Sequence, residues 1–464
     1  MEPEVWGDES EIVAEVVGLI ARRITRASDP KTTARPASEL AAEAGRTITA
    51  AGLGATEALR IFEDVLVPAT RAQDDPYNLA YVPAAPTKAA RAFDAAVSSF
   101  NIFAGIWEAG AGAIFAENEA LDWLIELLGW PETAGGCFVS GGTMGNLSAL
   151  VAARSYVRRQ RGHDAARAIL CTFDAHSSII AAARVMDVEV IVVEEDDRGH
   201  LTGPAARAAL AEHPEVFAVV ASAGTTNGGV VDDIAELADV CAEFDVWLHV
   251  DGAYGGAGLA APSVRWRFDG IERAHSFIVD PHKWLFAPYD CCALIYRDVA
   301  LARAAHAQHA SYLDAVNREV WNPADLAVHL SRRARGLPFW FSLAVHGTDR
   351  YTEAIEQTLT TARAIADGIR TVPTLDLLLE PELSVLIFER PGFTDEDYHR
   401  WSTRLAHEGL ILCVPTVWQG RTTLRLALVN PATRANHPTW RLRDDPGRSS
   451  RAGCRSRGRL GWPG

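Results

Sequence analysis

The sequence predicts an α/β fold, with a mostly parallel central sheet covered by helices and a smaller C-terminal α+β domain. Short apolar runs alternate with helical segments from about residue 135 to residue 296. Beyond residue 340 a long helical run precedes two strand-like runs. Strands that are apolar on both faces and separated by helices are typical of a parallel sheet buried on both sides. With 464 residues, 48% of them hydrophobic, the chain is long enough for more than one domain.

The N-terminal region is predicted to be helical. Apolar residues recur at helical spacing in residues 10–24 and again in 55–70. A loop that contains proline and aromatic residues follows at 75–87, and a further helix is expected at about 118–128. We therefore expect residues 1–87 to form an N-terminal helical segment that ends in this loop.

Residues 88–335 are expected to form the large domain. Ligands bind at the carboxyl ends of the strands in such sheets, and Asp251 and Asp280 end two predicted strands. These two residues therefore mark a candidate site. The predicted strands are 168–173, 188–193, 217–222, 246–251, 276–280 and 292–296.

The C-terminal part divides into two predicted regions. Residues 336–430 read as a smaller α+β domain, with a helix at 352–370 and strands at 384–390 and 423–430. Residues 431–464 are rich in Arg, Gly, Pro and Ser without a hydrophobic period, so we expect a basic, disordered tail. A frame change in the coding sequence explains that composition better than a nucleic-acid-binding tail, because nothing else in the chain suits nucleic acid.

The bulk composition excludes several classes of function. A net charge of −16 argues against a nucleic-acid or membrane-surface role. No apolar run is long enough to span a bilayer, and the acidic start is not a signal peptide. The seven cysteines form no CxxC pair or His/Cys cluster, so neither a disulfide framework nor a metal site is predicted. A cytoplasmic location is the expectation.

Two glycine-containing motifs indicate a phosphate and a cationic ring. In "SGGTMGNLSAL", residues 140–150, glycines open a helix whose first-turn N–H groups and dipole favour an anion. In "HVDGAYGG", residues 249–256, Asp251 ends a buried strand and needs a cationic partner, which a pyridinium nitrogen would supply. Each motif taken alone is equally compatible with a helix cap or a structural turn.

Two further motifs supply a flat ring and a nucleophile. His176 in "DAHSS" is suited to lie over an aromatic ring, although a lone histidine is more often structural. Lys283 in "DPHKW" follows a buried strand, where a lowered pKa would make its amine a nucleophile toward carbonyls; the ordinary reading is a snorkelling lysine. Together the four motifs are the parts that bind pyridoxal 5′-phosphate (PLP).

In these motifs the chain resembles the group II PLP-dependent amino-acid decarboxylases, which include the aromatic-L-amino-acid, glutamate and cysteine-sulfinate enzymes. The resemblance covers roughly residues 75–435, and "HVDGAYGG" followed by "DPHKW" is its most specific part. It implies the type I fold of PLP-dependent transferases and a homodimer with shared active sites. The implied reaction converts an L-amino acid to its amine and CO2.

The resemblance also implies roles for individual residues. Lys283 would hold the cofactor as a Schiff base, and His282 would lie near the phosphate and the catalytic centre, with His176 as a third catalytic residue. The other cofactor contacts would be Asp251 at the pyridine nitrogen, Ala253 beneath the ring, His176 on the ring, Gly142 and Thr143 at the phosphate, and the hydroxyl of Ser222. Substrate contacts are implied for Tyr81, Val82, Pro83, Phe103 and Arg425.

One departure from the family pattern leaves the reaction outcome open. Many members carry a mobile-loop tyrosine that supports protonation of the substrate Cα, and the aligned position here is Pro323, with Tyr312 too far upstream. Either His282 or water would then supply the proton, or the chain would form an aldehyde by oxidative deamination. A carbon–carbon lyase and a catalytically silent PLP-binding protein are further alternatives.

The substrate side chain is predicted to be apolar or aromatic. Tyr81, Val82, Pro83 and Phe103 suit such a side chain, and Gly105 is expected to leave room for a large ring. An acidic substrate would need a further basic residue, which the sequence does not place.

Overall fold

A computed structural model describes residues 10–308 and 322–436 of the chain. Its large sheet has seven strands in the order β1-β7-β6-β5-β4-β2-β3. Strands β2 to β6 are parallel to one another, and β7 runs antiparallel to both β6 and β1. The strands are β1 Gly135–Val139, β2 Ala168–Thr172, β3 Glu189–Val193, β4 Val216–Ser222, β5 Trp247–Asp251, β6 Ser276–Val279 and β7 Cys292–Tyr296. The predicted α/β class is confirmed, and each of the six predicted strands is present to within one residue at either end.

Helices cover both faces of this sheet and continue into the N- and C-terminal regions. The α-helices are α1 Ser10–Thr25, α2 Ala37–Ala44, α3 Ala55–Ile61, α4 Lys88–Phe100, α5 Trp107–Leu128, α6 Gly142–Arg161, α7 Ser177–Met186, α8 Gly203–Glu212, α9 Ile234–Phe244, α10 Val299–His306, α11 Leu337–His346, α12 Thr348–Arg370 and α13 Asp395–His407. None of the helices in residues 10–308 and 322–436 combines the length and apolarity that crossing a membrane requires.

The alternation of side chains along β5 decides which face carries the site. Leu248 and Val250 point into the core on the α5 side, whereas Trp247 belongs to the core on the side of α6 and α7. Because successive side chains of a strand alternate, His249 and Asp251 share the face of Trp247. The polar residues of β5 therefore meet α6 and α7.

Two predicted helices differ from those observed. The helix expected at 118–128 begins eleven residues earlier, at Trp107, since Gly110 and Gly112 obscure its first turns in the sequence and Gly110 is itself non-helical. The helix expected at 55–70 ends at Ile61 and continues as a short π-helix, Phe62–Leu66. The predicted 352–370 helix is the C-terminal part of α12.

The C-terminal region contains a second, antiparallel sheet in the order β10-β11-β9-β8. Its strands are β8 Asp376–Leu377, β9 Val385–Glu389, β10 Pro415–Trp418 and β11 Arg421–Ala427. Only β9 and β11 were predicted, because β8 has two residues and β10 begins with proline. Most of the predicted tail, residues 437–464, lies outside the described residues.

A buried carboxylate, Glu382, joins this region to the region of the large sheet. Its Oε1 lies 3.0 Å from Arg198 Nη2, 2.9 Å from His200 Nε2 and 3.2 Å from Arg267 Nη1. Its Oε2 accepts the Val231 N–H at 3.0 Å. His200 donates a hydrogen bond to Glu382, and this bond is the main cause that raises the pKa of His200 to about 9. We call these four side chains, Glu382, Arg198, His200 and Arg267, the Glu382 ion cluster.

Candidate active site

Lys283 lies in the turn that follows β6. The Asp280 N–H donates to Ala253 O at 3.0 Å, and the Lys283 N–H donates to Asp280 O at 2.9 Å, which ties this turn to the end of β5. The turn returns the lysine side chain to Asp280, so that Nζ lies 2.9 Å from Oδ2. Asp280 is buried, and its Oδ1 has no hydrogen-bond partner among the described residues.

The pKa of Lys283 differs from the expectation drawn from the sequence. Burial by itself lowers the pKa of this amine, as predicted. The charge and hydrogen bond of Asp280 outweigh burial, and the net pKa of Lys283 is raised. The expected lowered pKa is therefore wrong for the chain alone, because the sequence did not reveal that the motif's own aspartate faces the amine.

His282 stands beside the same carboxylate. Its Nε2 is 3.7 Å from Asp280 Oδ2, and its Nδ1 is 2.6 Å from Cys291 O. Burial is the main cause that lowers the pKa of His282. The ring of Tyr289 covers it, with ring centroids 4.7 Å apart. His282 is thus a buried imidazole held between Asp280 and the start of β7.

Asp251 ends β5 and is paired with neutral groups. Its Oδ2 accepts Asn146 Nδ2–H at 2.8 Å, and its Oδ1 accepts the Ala253 N–H at 3.0 Å. No described lysine, arginine or histidine forms an ion pair with it, although it is only 7% exposed. A buried carboxylate in this state needs a cation. A pyridinium N–H fits that requirement.

His176 is held by Ser178 at the start of α7. Its Nδ1 lies 2.8 Å from Ser178 Oγ and accepts the Ser178 N–H at 3.2 Å. Ser178 Oγ also accepts the second N–H of Asn146, at 2.9 Å. One asparagine side chain therefore joins His176 and Asp251, two of the residues that the sequence singled out.

The start of α6 meets the same region. A Cβ added to Gly142 would lie 3.2 Å from Ala253 Cβ and 3.3 Å from Asp280 Oδ2, so this position is close-packed against both motifs. The helix has no side-chain N-cap, and the N–H groups of Gly142 and Thr143 have no hydrogen-bond partner among the described residues. Such a helix start fits a phosphate.

Ser222 is placed next to Asp251 by strand register. The two residues are paired neighbours at the carboxyl ends of β4 and β5. The Ser222 N–H donates to buried Asp232 at 2.6 Å. The seven predicted cofactor residues apart from His176 are therefore grouped around the ends of β4, β5 and β6 and the start of α6, and Asn146 links His176 to them.

The predicted substrate residues lie in two places. Arg425 on β11 is buried and donates from Nη1 to Tyr81 O, while its Nε and Nη2 have no hydrogen-bond partner among the described residues. Tyr81 is 68% exposed, and the two residues that follow it in the chain, Val82 and Pro83, are buried. Phe103 lies instead beside Gly105, before α5.

Comparison with known proteins identifies the family. Residues 54–390 match the family model described as the pyridoxal-dependent decarboxylase conserved domain. The chain belongs to the pyridoxal-dependent decarboxylase family.

Relatives of this decarboxylase differ in substrate. It is 32% identical over 379 residues to an aromatic-L-amino-acid decarboxylase from Bacillus atrophaeus, covering 78% of each chain. It is 35% identical over 360 residues to an L-2,4-diaminobutyrate decarboxylase from Rhizobium meliloti, covering 74% of this chain and 71% of the relative. The matches establish a PLP-dependent amino-acid decarboxylase and leave several side-chain chemistries open.

Solved structures agree with the fold of the decarboxylase. Oryza sativa TDC, solved with PLP and tryptamine, superposes with a TM-score of 0.85 at 24% identity, covering 93% of this chain and 94% of the other. Rhodiola rosea 4-hydroxyphenylacetaldehyde synthase superposes with a TM-score of 0.83 at 23% identity, covering 92% and 96%. At these identities the comparison supports the type I architecture.

The sequence aligns Pro323 with the family's loop tyrosine, and the structure anchors the segment around this proline. Pro323 opens a short 3₁₀-helix, Pro323–Asp325, that Asn322 and Asp325 close as a capping box. Asn322 Oδ1 also accepts the Trp107 N–H at 2.7 Å, and the Ala324 N–H donates to Gly105 O at 3.0 Å. Pro323, the position predicted to align with the tyrosine, is thus buried and anchored. Tyr312 lies outside the described residues.

Gly105 does not provide the space expected of it. A Cβ at this position would lie 2.4 Å from Leu330 O and 2.8 Å from the Phe103 ring. The absent side chain is therefore required by close packing of the backbone. The expectation that Gly105 admits a large substrate ring is wrong.

Sequence reasoning missed Asn146, Ser178 and His249 as members of this site. A signal for each was present. Asn146 follows Gly142 by four residues, which places both on one face of α6, and His249 precedes Asp251 by two, which places both on one face of β5. Ser178 follows His176 by two, at the start of α7.

Proposed function

We propose that this decarboxylase acts on an aromatic L-amino acid and releases the corresponding amine and CO2. The 32% identity to the Bacillus enzyme over most of both chains favours this substrate class. The apolar character of Val82, Pro83 and Phe103 supports it. The diaminobutyrate-specific relative is the main competing observation.

The observation that carries the proposal of decarboxylation is the grouping of Lys283, Asp251 and Gly142 in one cluster. PLP, when bound, supplies an electron-accepting ring for the carbanion left at Cα. In the proposal Lys283 attaches it covalently, Asp251 accepts the pyridinium N–H, and the N–H groups of Gly142 and Thr143 hold the phosphate. His176 packs on the ring.

Arg425 is the proposed partner of the substrate carboxylate. A guanidinium with two unused donor atoms is the chemistry that recognises a carboxylate. Burial lowers its pKa to about 10, so it is still a cation at neutral pH. Its bond to Tyr81 O connects it with the loop that we propose faces the substrate side chain.

A second outcome, aldehyde formation, is favoured by the anchored Pro323. In that reaction the amino acid, O2 and water yield the aldehyde, CO2, ammonia and H2O2. A 27% identical relative from Rhodiola rosea is a 4-hydroxyphenylacetaldehyde synthase, and the match covers 70% of this chain. The residue that protonates Cα therefore decides between amine and aldehyde.

Product analysis tests the proposal. The PLP-loaded protein is incubated separately with L-tryptophan, L-tyrosine, L-phenylalanine, L-2,4-diaminobutyrate, L-glutamate and cysteine sulfinate, and amines, aldehydes, ammonia and H2O2 are measured. We expect an aryl-alkyl amine, with kcat/KM for one aromatic substrate roughly 100-fold or more above that for diaminobutyrate, since leaving a charged ammonium in an apolar pocket costs several kcal/mol.

The other outcomes separate the alternatives. Diaminopropane as the preferred product would overturn the aromatic assignment and retain decarboxylation. Aldehyde with equal amounts of ammonia and H2O2 would replace decarboxylation alone by oxidative deamination. Absence of any product, with PLP bound to Lys283, would favour the silent binding protein.

We also infer that the protein is a homodimer with shared active sites. We infer a cytoplasmic location as well. Three phenylalanines between the end of α4 and the first half of α5 are exposed, Phe100 at 79%, Phe103 at 37% and Phe115 at 57%. Exposed aromatic side chains clustered in the chain are typical of an interface. Sedimentation equilibrium should give twice the chain mass; a monomer at micromolar concentration would contradict the inference. Cell fractionation tests the compartment.

A further inference from the structure

A buried hydrogen-bonded chain runs behind Asp251 and is unused by the proposed roles. Trp247 Nε1–H donates to Ser276 Oγ at 2.8 Å, and Ser276 Oγ lies 2.8 Å from His249 Nδ1. His249 Nε2 lies 2.8 Å from Asn146 Oδ1. From Asn146 the chain divides to Asp251 and Ser178. His249, Asn146 and Ser276 have no exposed surface.

The proton positions in this chain follow from which groups can only donate or only accept. An ionised carboxylate accepts, so Asn146 must present an N–H to Asp251. Its other N–H goes to Ser178, and its oxygen therefore faces His249 Nε2 as an acceptor. His249 must then carry its proton on Nε2.

The remaining protons are fixed in the same way. Burial lowers the pKa of His249 to about 4, so the ring is neutral near pH 7 and Nδ1 accepts from the Ser276 hydroxyl. Ser178 Oγ already accepts from Asn146, so its own proton goes to His176 Nδ1, which also accepts the Ser178 N–H. His176 consequently carries its proton on Nε2. Each donor and acceptor atom in this hydrogen-bonded chain is therefore assigned a single proton position.

We propose that Asn146 and His249 are positioning residues that set the protonation pattern of the cofactor site. Asn146 holds Asp251 as an anionic acceptor for the pyridinium N–H and, through Ser178, fixes the tautomer of His176. His249 holds the Asn146 amide in the one orientation that does both. Without His249 the amide is free to turn its oxygen toward Asp251, where two acceptors would repel each other.

The consequence is a direct coupling between two cofactor contacts. Asn146 on α6 donates to Asp251 at the end of β5 and to Ser178, and Ser178 in turn holds His176 at the start of α7. Disturbing the amide therefore changes the acceptor at the ring nitrogen and the histidine on the ring face together. The inference requires PLP binding, which the family establishes, and is independent of the proposed substrate.

The test uses cofactor binding without substrate. His249→Phe keeps the ring and removes both hydrogen bonds, and Asn146→Leu keeps the shape of the amide. Each variant should raise the dissociation constant for PLP roughly tenfold or more, the effect of one hydrogen bond to a charged group. Each should also change the ratio of the two absorption bands of protein-bound PLP, which report its protonation state. His249→Gln, which retains an N–H donor, should restore both toward wild type.

His306→Phe is the matched control. His306 is also buried and donates from Nε2 to Ser148 O on α6 at 2.9 Å, but it has no connection to Asp251 among the described hydrogen bonds. This variant should lose thermal stability and keep the PLP dissociation constant and spectrum. If His249→Phe lowers the melting temperature but binds PLP with a wild-type spectrum, or if His306→Phe alters the spectrum equally, the proposal is wrong. Should Asn146→Leu fail to fold, the two His249 variants decide.

Discussion

The Glu382 ion cluster and the candidate active site both contain buried charges, but these charges are paired to different extents. Glu382 has three cationic partners on one oxygen and a backbone N–H on the other. Among the described residues, Asp251 of the candidate active site has no cationic partner and Asp280 Oδ1 has no hydrogen-bond partner, while Arg425, the proposed substrate contact, has two nitrogen atoms without a partner. Burying an incompletely paired charge is costly. That cost is tolerated where a ligand completes the pairing.

The difference gives a physical criterion for separating stabilising charges from functional ones. Removing a fully paired charge leaves its former partners buried without a partner, and the resulting cost in free energy destabilises the fold. Removing an incompletely paired charge takes that cost away and removes the binding of a ligand.

Lys283→Ala should abolish covalent cofactor attachment and lower activity by roughly 10³-fold or more, because in the proposal this amine is the group that attaches the cofactor. The measurement is the intact mass after borohydride reduction, together with the rate of product formation. Wild type should gain the mass of the reduced cofactor and the variant should not. Lys88→Ala, at the exposed start of α4, is the control and should behave as wild type. A stable adduct on the Lys283 variant would refute the assignment.

Arg425→Gln should raise the KM for the amino acid roughly tenfold or more, since a charged hydrogen bond to the carboxylate is lost. Its free energy of unfolding should be unchanged or higher, because a buried guanidinium with unused donors disappears. Arg400→Gln, on the exposed surface of α13, should leave both quantities unchanged. Destabilisation of Arg425→Gln with an unaltered KM would place Arg425 among the structural charges.

Glu382→Gln should leave the PLP spectrum intact and lower the free energy of unfolding by about 3 kcal/mol, since it removes the buried carboxylate that pairs with His200 and Arg267. The difference from wild type should depend on pH. The folded pKa of His200 is raised to about 9, so its stabilisation is complete below about pH 6.5 and is lost as pH rises through 9. Burial raises the pKa of Glu382, but hydrogen bonds and the charges of His200 and Arg267 lower it by more, so its pKa is lowered overall. Its contribution to stability is therefore lost as the pH falls through that lowered pKa.

Urea unfolding of wild type and Glu382→Gln between pH 4 and pH 10 measures this difference. The stability gap should be widest near pH 5–6.5 and narrow on both sides. A gap that is constant across the range would show that the cluster acts through packing alone. A changed PLP spectrum would extend the role of Glu382 to the active site.

The elements predicted well from sequence are those whose signal is local. The central strands are continuous apolar runs, and the residues at their ends, Asp251 and Asp280, were located correctly. β1 was not predicted because two of its five residues are glycine, and β10 was not predicted because it begins with proline. A period-2 pattern is visible only where residues carry side chains, and two of the five positions of β1 carry none.

The parts of the site that were missed depend on contacts between distant residues. The raised pKa of Lys283 depends on the turn that brings Asp280 to its amine, and the role of Asn146 depends on the packing of α6 on β5. Gly105 was misjudged because a missing side chain reads as space in a sequence, whereas here Leu330 O fills it. Individual motifs predict what a site contains; the three-dimensional contacts decide what state its groups are in.

The anchored segment 322–325 also limits how the enzyme can be redesigned. Pro323→Tyr would replace the proline that opens a capped turn. Pro323 is buried, so a larger aromatic ring has no room there. Such a graft would disturb the contacts of Asn322 with Trp107 and of Ala324 with Gly105 before it delivered a hydroxyl. A new acid engineered into this scaffold is therefore better placed outside residues 322–325, with the capped turn left as it is.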